Sequence, residues 1–122
     1  MLAPAKMMGF LLTTDYDKAK EFFVRKLGFR FVSLDEFALV LDCGENLLRI
    51  SKVEKFSPLQ GTVLGWQVSD IDAVVEWLKR NGVSPERYPF MKDSDIWTAP
   101  GGARIAWFKD PDGNTLSVSQ HT

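Results

Sequence analysis

Apolar and polar positions along the chain fall into short alternating runs and one helical spacing, and the whole set occurs twice. Met7 to Thr13 is an apolar, glycine-containing run that predicts a strand. Thr14-Asp15-Tyr16-Asp17 follows, where Thr14 or Asp15 can cap a helix start through a side-chain oxygen. Ala19, Phe22, Phe23 and Leu27 then recur at helical spacing, with Lys18, Lys20, Glu21 and Arg25 on the opposite side. Gly28 ends that helix. Phe29 to Leu34, Phe37 to Asp42 and Asn46 to Lys52 predict three strands, turned by Asp35-Glu36 and Cys43-Gly44-Glu45.

After Phe56-Ser57-Pro58-Leu59-Gln60-Gly61, read as a linker, the order restarts. Thr62 to Val68 predicts a strand, Ser69-Asp70-Ile71-Asp72 restates the cap, and Ile71, Val74, Val75 and Leu78 make the apolar stripe that Asn81-Gly82 closes. The two copies are offset by about 55 positions, the scale on which internal repeats are sought. A Pro-containing segment with Tyr88 and Phe90, the polar Lys92 to Asp95 and the run Ile96-Trp97-Thr98 come next, and Pro100-Gly101-Gly102 turns the chain into a closing hairpin. That hairpin joins Arg104 to Lys109 and Thr115 to Gln120 through Asp110-Pro111-Asp112-Gly113-Asn114, where proline fixes an early turn position and Gly113 or Asn114 accepts a left-handed conformation. The pattern is βαβββ twice, an α+β domain spanning residues 1–122 with one module over about 6–54 and a second over about 61–120. One helix per module covers one sheet face, so the other face must find a partner or line a cavity.

Composition narrows the function. The formal net charge is −1 and no basic run exceeds two residues, which argues against nucleic acid or an anionic membrane as partner. No apolar stretch approaches the roughly 20 residues of a membrane helix, and the start lacks the apolar segment of a signal peptide, so a cytoplasmic location is expected. The single cysteine, Cys43, excludes an intramolecular disulfide framework and a cysteine-based zinc site, and no His or Lys adjoins it to make a reactive thiol.

The strand-Asp-helix-Leu-Gly opening (Asp15 through Leu27-Gly28-Phe29), its repeat (Asp70 through Asn81-Gly82-Val83) and Trp107-Phe108-Lys109-Asp110-Pro111-Asp112-Gly113-Asn114 together resemble the vicinal oxygen chelate superfamily, the glyoxalase, bleomycin-resistance and extradiol dioxygenase group. The resemblance covers nearly the whole chain. It implies two βαβββ modules whose curved mixed sheets surround a cleft, a divalent metal in the enzymes of the group, and a homodimer. It also implies metal ligands on the first strand of a module, seven residues before the helix-opening Asp, and on the last strand beyond the turn. Carried onto this chain, those positions are Met8 and Val63, then Arg49 and Ser117. A thioether, an isopropyl group, a guanidinium and a neutral hydroxyl are poor ligands for a divalent ion. The one histidine, His121, is near the end of the sequence and out of register. The chain is thus identified as a member of a branch lacking the metal ligands, with no catalytic residue, metal or cofactor expected.

Strand alternation extends the same face to Phe10 and Leu12 after Met8, to Leu47 and Ser51 around Arg49, to Gly65 and Gln67 after Val63, and to Thr115 and Ser119 around Ser117, with Ile105 and Trp107 on the preceding arm. The candidate ligand-binding residues are Met8, Phe10, Arg49, Val63, Gln67, Trp107, Ser117 and Ser119. An apolar, aromatic wall with few polar groups suits a small molecule. A guanidinium there needs an anionic or carbonyl partner, which a ligand or a local acid such as Asp42 or Glu45 could supply. Phe10 and Trp107 also fit as plain core or dimer-interface aromatics, and Ser117 and Ser119 as solvated strand positions. The leading expectation is a metal-free binding protein for an apolar or aromatic small molecule. The alternatives are an enzyme working without the usual metal site and a non-catalytic dimeric scaffold.

Overall fold

Asp15 and Asp70 cap the two helices that open the modules. Asp15 Oδ1 accepts the backbone N–H of Asp17 at 2.9 Å and of Lys18 at 3.2 Å, and Asp70 Oδ1 accepts that of Ala73 at 3.1 Å. Each bond satisfies a donor that the first helical turn leaves without an intrahelical partner. In this computed structural model, which describes residues 1–121, the chain divides into two compact units, Met1–Ser57 and Pro58–Thr122.

The first unit runs β1 (Met8–Thr13), α1 (Tyr16–Lys20), β2 (Arg30–Leu34), β3 (Leu39–Cys43) and β4 (Asn46–Lys52). Beyond Lys20 the helix continues through Glu21–Lys26 in π form, with Leu27 N–H bonded to Phe22 C=O at 2.9 Å. The α-helical spacing read from the sequence does not foresee this. A wider turn narrows the angle between successive side chains, and here both Phe22 and Phe23 are buried, meeting edge to face at 5.0 Å. The sheet order is β1-β4-β3-β2, with β1 parallel to β4 and the other neighbours antiparallel. Leu11, Leu39, Leu41, Leu48 and Ile50 face the helix and are buried with Ala19, Phe22 and Phe23, each aliphatic side chain contributing on the order of 2 kcal/mol by leaving water.

The second unit repeats this as β5 (Thr62–Gln67), α2 (Ile71–Arg80), a 3₁₀ turn (Pro89–Met91), β6 (Trp97–Thr98), β7 (Arg104–Lys109) and β8 (Thr115–Gln120). Its order, β5-β8-β7-β6, has the same topology. Ile71, Val75 and Leu78 of α2 are buried with Ala106, Phe108, Leu116 and Val118, and Trp66 stacks on Phe108 at 6.4 Å. Arg104 grips the Asp72 carboxylate with two hydrogen bonds, 2.7 and 2.9 Å, tying β7 to α2.

The closing hairpin turns as its sequence requires. Asp110 Oδ1 accepts the N–H groups of Asp112 (3.0 Å) and Asn114 (2.9 Å), its Oδ2 accepts Asn114 Nδ2 (2.8 Å), and Gly113 takes the left-handed conformation at φ 88°. The fold is therefore α+β, two βαβββ modules each with a four-stranded mixed sheet. Among the described residues no helix is long and apolar enough to cross a membrane.

Candidate functional site

Because strand residues alternate, the set that faces each helix leaves a second set on the opposite face. On the first sheet, Met8 is opposite Leu47, Phe10 opposite Arg49 and Leu12 opposite Ser51, while Arg49 and Leu47 also meet Val40 and Asp42 on β3. This helix-free face is open and apolar: Phe10 is 68% exposed, Met8 45%, Leu12 40% and Leu47 39%.

Arg49 stands on an inner strand in the middle of that face, half-buried. The acids that might have neutralised it are engaged elsewhere. Asp42 binds Arg30, with Oδ2 accepting from Nη2 at 2.7 Å and from Nε at 3.3 Å. Asp35 spends a carboxylate oxygen on the N–H groups of Phe37 (2.8 Å) and Ala38 (3.1 Å). Those two bonds hold Asp35 below the usual carboxylate range, and the field of Arg49 adds a smaller contribution in the same direction. Glu45 forms no ion pair with Arg49 either, and among the described residues the Arg49 side chain has no hydrogen-bond or salt-bridge partner. At one end of the face, Met8 and Leu47 border an open depression of about 340 Å³ together with Lys6, Met7, Asp42 and Gly44 to Asn46.

On the second sheet the register sets Trp107 opposite Ser117, Ile105 opposite Ser119 and Trp97 opposite Ile105, with Gly65 and Gln67 beside Ser117 and Ser119. Val63 falls in an irregular step: Thr62 pairs with Thr115 and Leu64 with Leu116, two residues of β5 against one of β8. The step brings Thr62 to Trp107, whose Nε1 donates to Thr62 Oγ1 at 3.0 Å. Simple alternation gives no hint of Thr62.

Trp107 is also covered by its own chain. Tyr88, Phe90 and Trp97 surround it at ring-centre distances of 5.7, 5.9 and 6.0 Å. The segment that carries Tyr88 is held there by the Glu86 N–H bond to Trp107 C=O, 2.7 Å. Asp95 pins its return to Arg87 (2.8 Å) and Lys79 (3.0 Å). Lys92 and Asp93, both at positive φ (53° and 61°), reverse the chain between Met91 and Trp97. Burial, then the charge of Glu86, raise the Tyr88 phenol above its ordinary value, with Thr115 acting in the opposite direction. Beside this aromatic cluster lies a polar strip. Gln67 is exposed, Ser117 and Ser119 are half-buried, and Ser119 Oγ lies 2.9 Å from His121 Nε2.

Thus Met8, Phe10 and Arg49 share the helix-free face of the first sheet, and Gln67, Trp107, Ser117 and Ser119 that of the second, with Val63 at the step in β5. The four positions where the resemblance places metal ligands carry Met8, Arg49, Val63 and Ser117, a donor set that does not fit a divalent cation. Among the described residues no three His, Cys, Asp or Glu side chains are grouped to hold one. Cys43 is half-buried, and burial, helped by the charge of Asp42, pushes its thiol up to about 11.

The family profile described as the Glyoxalase/Bleomycin resistance protein/Dioxygenase superfamily matches residues 6–118, and the chain belongs to that superfamily. It is 29% identical to "Uncharacterized protein YraH" of Bacillus subtilis (strain 168), over 88% of this chain and 91% of that protein. The solved structure of SMU.1112c superposes with a TM-score of 0.76 at 26% identity, covering 94% of this chain and 97% of the other. Lactoylglutathione lyase from Agrobacterium tumefaciens shares the fold at a TM-score of 0.72 and 20% identity, over 95% and 92% of the two chains.

Proposed function

We propose that this chain is a metal-free binding protein that holds a small apolar or aromatic molecule against a helix-free sheet face. The observation that carries the reading is the first sheet, where four exposed apolar side chains surround a cationic group that makes no salt bridge among the described residues. Such a face loses free energy to water at every apolar atom, and a ligand covering it recovers about 25 cal/mol per Å². The polar strip of Gln67, Ser117 and Ser119 beside the aromatic cluster offers hydrogen bonds of the kind that orient a ligand. The donor set at Met8, Arg49, Val63 and Ser117 supports binding without a metal.

The test is a titration of a panel of aromatic and amphipathic compounds with two reporters. All four tryptophans, Trp66, Trp77, Trp97 and Trp107, lie in the second unit, so their fluorescence reads that unit. Backbone amide shifts of β1 and β4 read the first. A saturable response to at least one compound is expected, and silence across the panel in both reporters overturns the reading.

The exposure of Phe10 favours a second reading, a homodimer in which another copy covers the stripe of Met8, Phe10, Leu12 and Leu47. Sedimentation velocity decides it. A dimer abolished by Phe10→Ser supports this reading, and a monomer at high micromolar concentration refutes it.

A further inference from the structure

From the position of Arg49 we infer that the ligand of the first sheet is an organic monocarboxylate with an apolar tail, an inference that rests on the binding role proposed above. Arg49 sits between Phe10 on β1 and Val40 on β3, so its aliphatic stem lies along apolar side chains. Arg30 on the same face is bound to Asp42, whereas the Arg49 guanidinium makes no salt bridge among the described residues. Its fork of donors matches the two oxygens of a carboxylate. Asp42 is taken by Arg30 and the Asp35 oxygen by two backbone N–H groups, so neither supplies that match.

The surroundings select the rest of the molecule. Met8, Phe10, Leu12 and Leu47 offer an apolar bed on the same face. The depression of about 340 Å³ that Met8 and Leu47 border is at the small end of the range for ligand sites. Lys6, Asp42 and Glu45 edge that depression, and with Asp42 already paired to Arg30 the charges of Lys6 and Glu45 offset, which leaves no spare cation there for a second anionic group on the tail. A dicarboxylate or a phosphate ester therefore fits less well than a single carboxylate on a phenyl or alkyl chain.

The experiment compares 4-phenylbutyrate with its neutral isostere 4-phenylbutyramide on the full chain, followed by backbone amide shifts of Phe10, Leu47 and Arg49. Phenylbutyrate is expected to bind about tenfold or more tightly than the amide, the usual advantage of a charge-assisted pair. Arg49→Gln is expected to reduce the acid to the affinity of the amide, while Lys55→Gln, which removes an equal charge outside the sheet, leaves the difference intact. Equal affinities for acid and amide, or an acid affinity indifferent to Arg49→Gln, overturn the carboxylate assignment and leave the binding role standing. No shift with either probe overturns the assignment, and if the compound panel is silent as well the binding role falls with it. Dilution-dependent shifts at the same amides, with no response to either probe, assign the face to a second copy and overturn both.

Discussion

Ser117 Oγ fills the space in which a side chain on Gly65 would begin: a Cβ placed there would lie 2.6 Å from that oxygen. The two residues are register partners on β5 and β8, so the close approach is built into the sheet. Gly65→Ala should force Ser117 to another rotamer and cost about 1–2 kcal/mol, as overpacking does. In a Ser117→Ala background the obstructing oxygen is gone, and the same change should cost less than half as much. Urea denaturation of the four proteins measures the coupling. Equal costs in both backgrounds would transfer the obstruction to the Ser117 carbonyl, 3.3 Å from the same point.

Trp107 should behave as a structural residue of the second unit. It packs on three aromatic rings and spends its indole N–H on Thr62. Trp107→Ala should destabilise by about 3 kcal/mol, the low end for a large aromatic because the residue is half-buried. Thr62→Val should cost about 1 kcal/mol through the lost hydrogen bond. A Trp107→Ala protein with an unchanged thermal midpoint would contradict the packing described.

The hairpin carboxylate gives stability a pH dependence of known sign. Asp110 is 7% exposed, and burial raises its carboxyl above 3.8 despite the hydrogen bonds from Asn114 and Asp112. A raised folded-state value means that the folded chain binds this proton more readily than the unfolded chain. The contribution is full below 3.8 and is lost as pH rises through the folded value. Asp95 runs the other way: Arg87 first, then Lys79, hold it below 3.8, so its contribution exists above that value and fades on acidification. Both cations are exposed, which keeps that effect small. Relative to Asp110→Asn, the wild-type chain should therefore gain stability as pH falls from 7 towards 4. Urea midpoints at the two pH values check the sign, and a relative loss on acidification would contradict it.

Cys43 should be a slow thiol. A value of about 11 against an ordinary 9.0 lowers the thiolate fraction near neutrality about a hundredfold. Iodoacetamide at pH 7.5 should alkylate Cys43 that much more slowly in the folded chain than in 6 M guanidinium. Equal rates would show an open, ordinary thiol.

The modules and their order were legible because each element carries a local signature: the Asp caps, the stripes of Ala19, Phe22 and Phe23 and of Ile71, Val75 and Leu78, and the Asp110 to Asn114 turn. What escaped depends on contacts between residues distant in sequence or on a break in period. A two-residue period cannot anticipate the step between Thr62 and Leu64, so Thr62 was invisible as the partner of Trp107. The π turn after Lys20 shares its apolar spacing with an ordinary helix. Tyr88 and Phe90 are aromatic in the sequence, but only the bond from Glu86 to Trp107 explains why they lie over β7. Asp42 was a candidate partner for Arg49, and the pairing of β2 with β3 gives it to Arg30 instead.

Native mass spectrometry of the chain purified without chelators or added metals tests the central claim, binding without a divalent ion. The account predicts a fraction carrying the added mass of a small organic molecule, released on denaturation, with no stoichiometric metal. One divalent ion per chain, retained through purification and required for the organic molecule to stay bound, would contradict it.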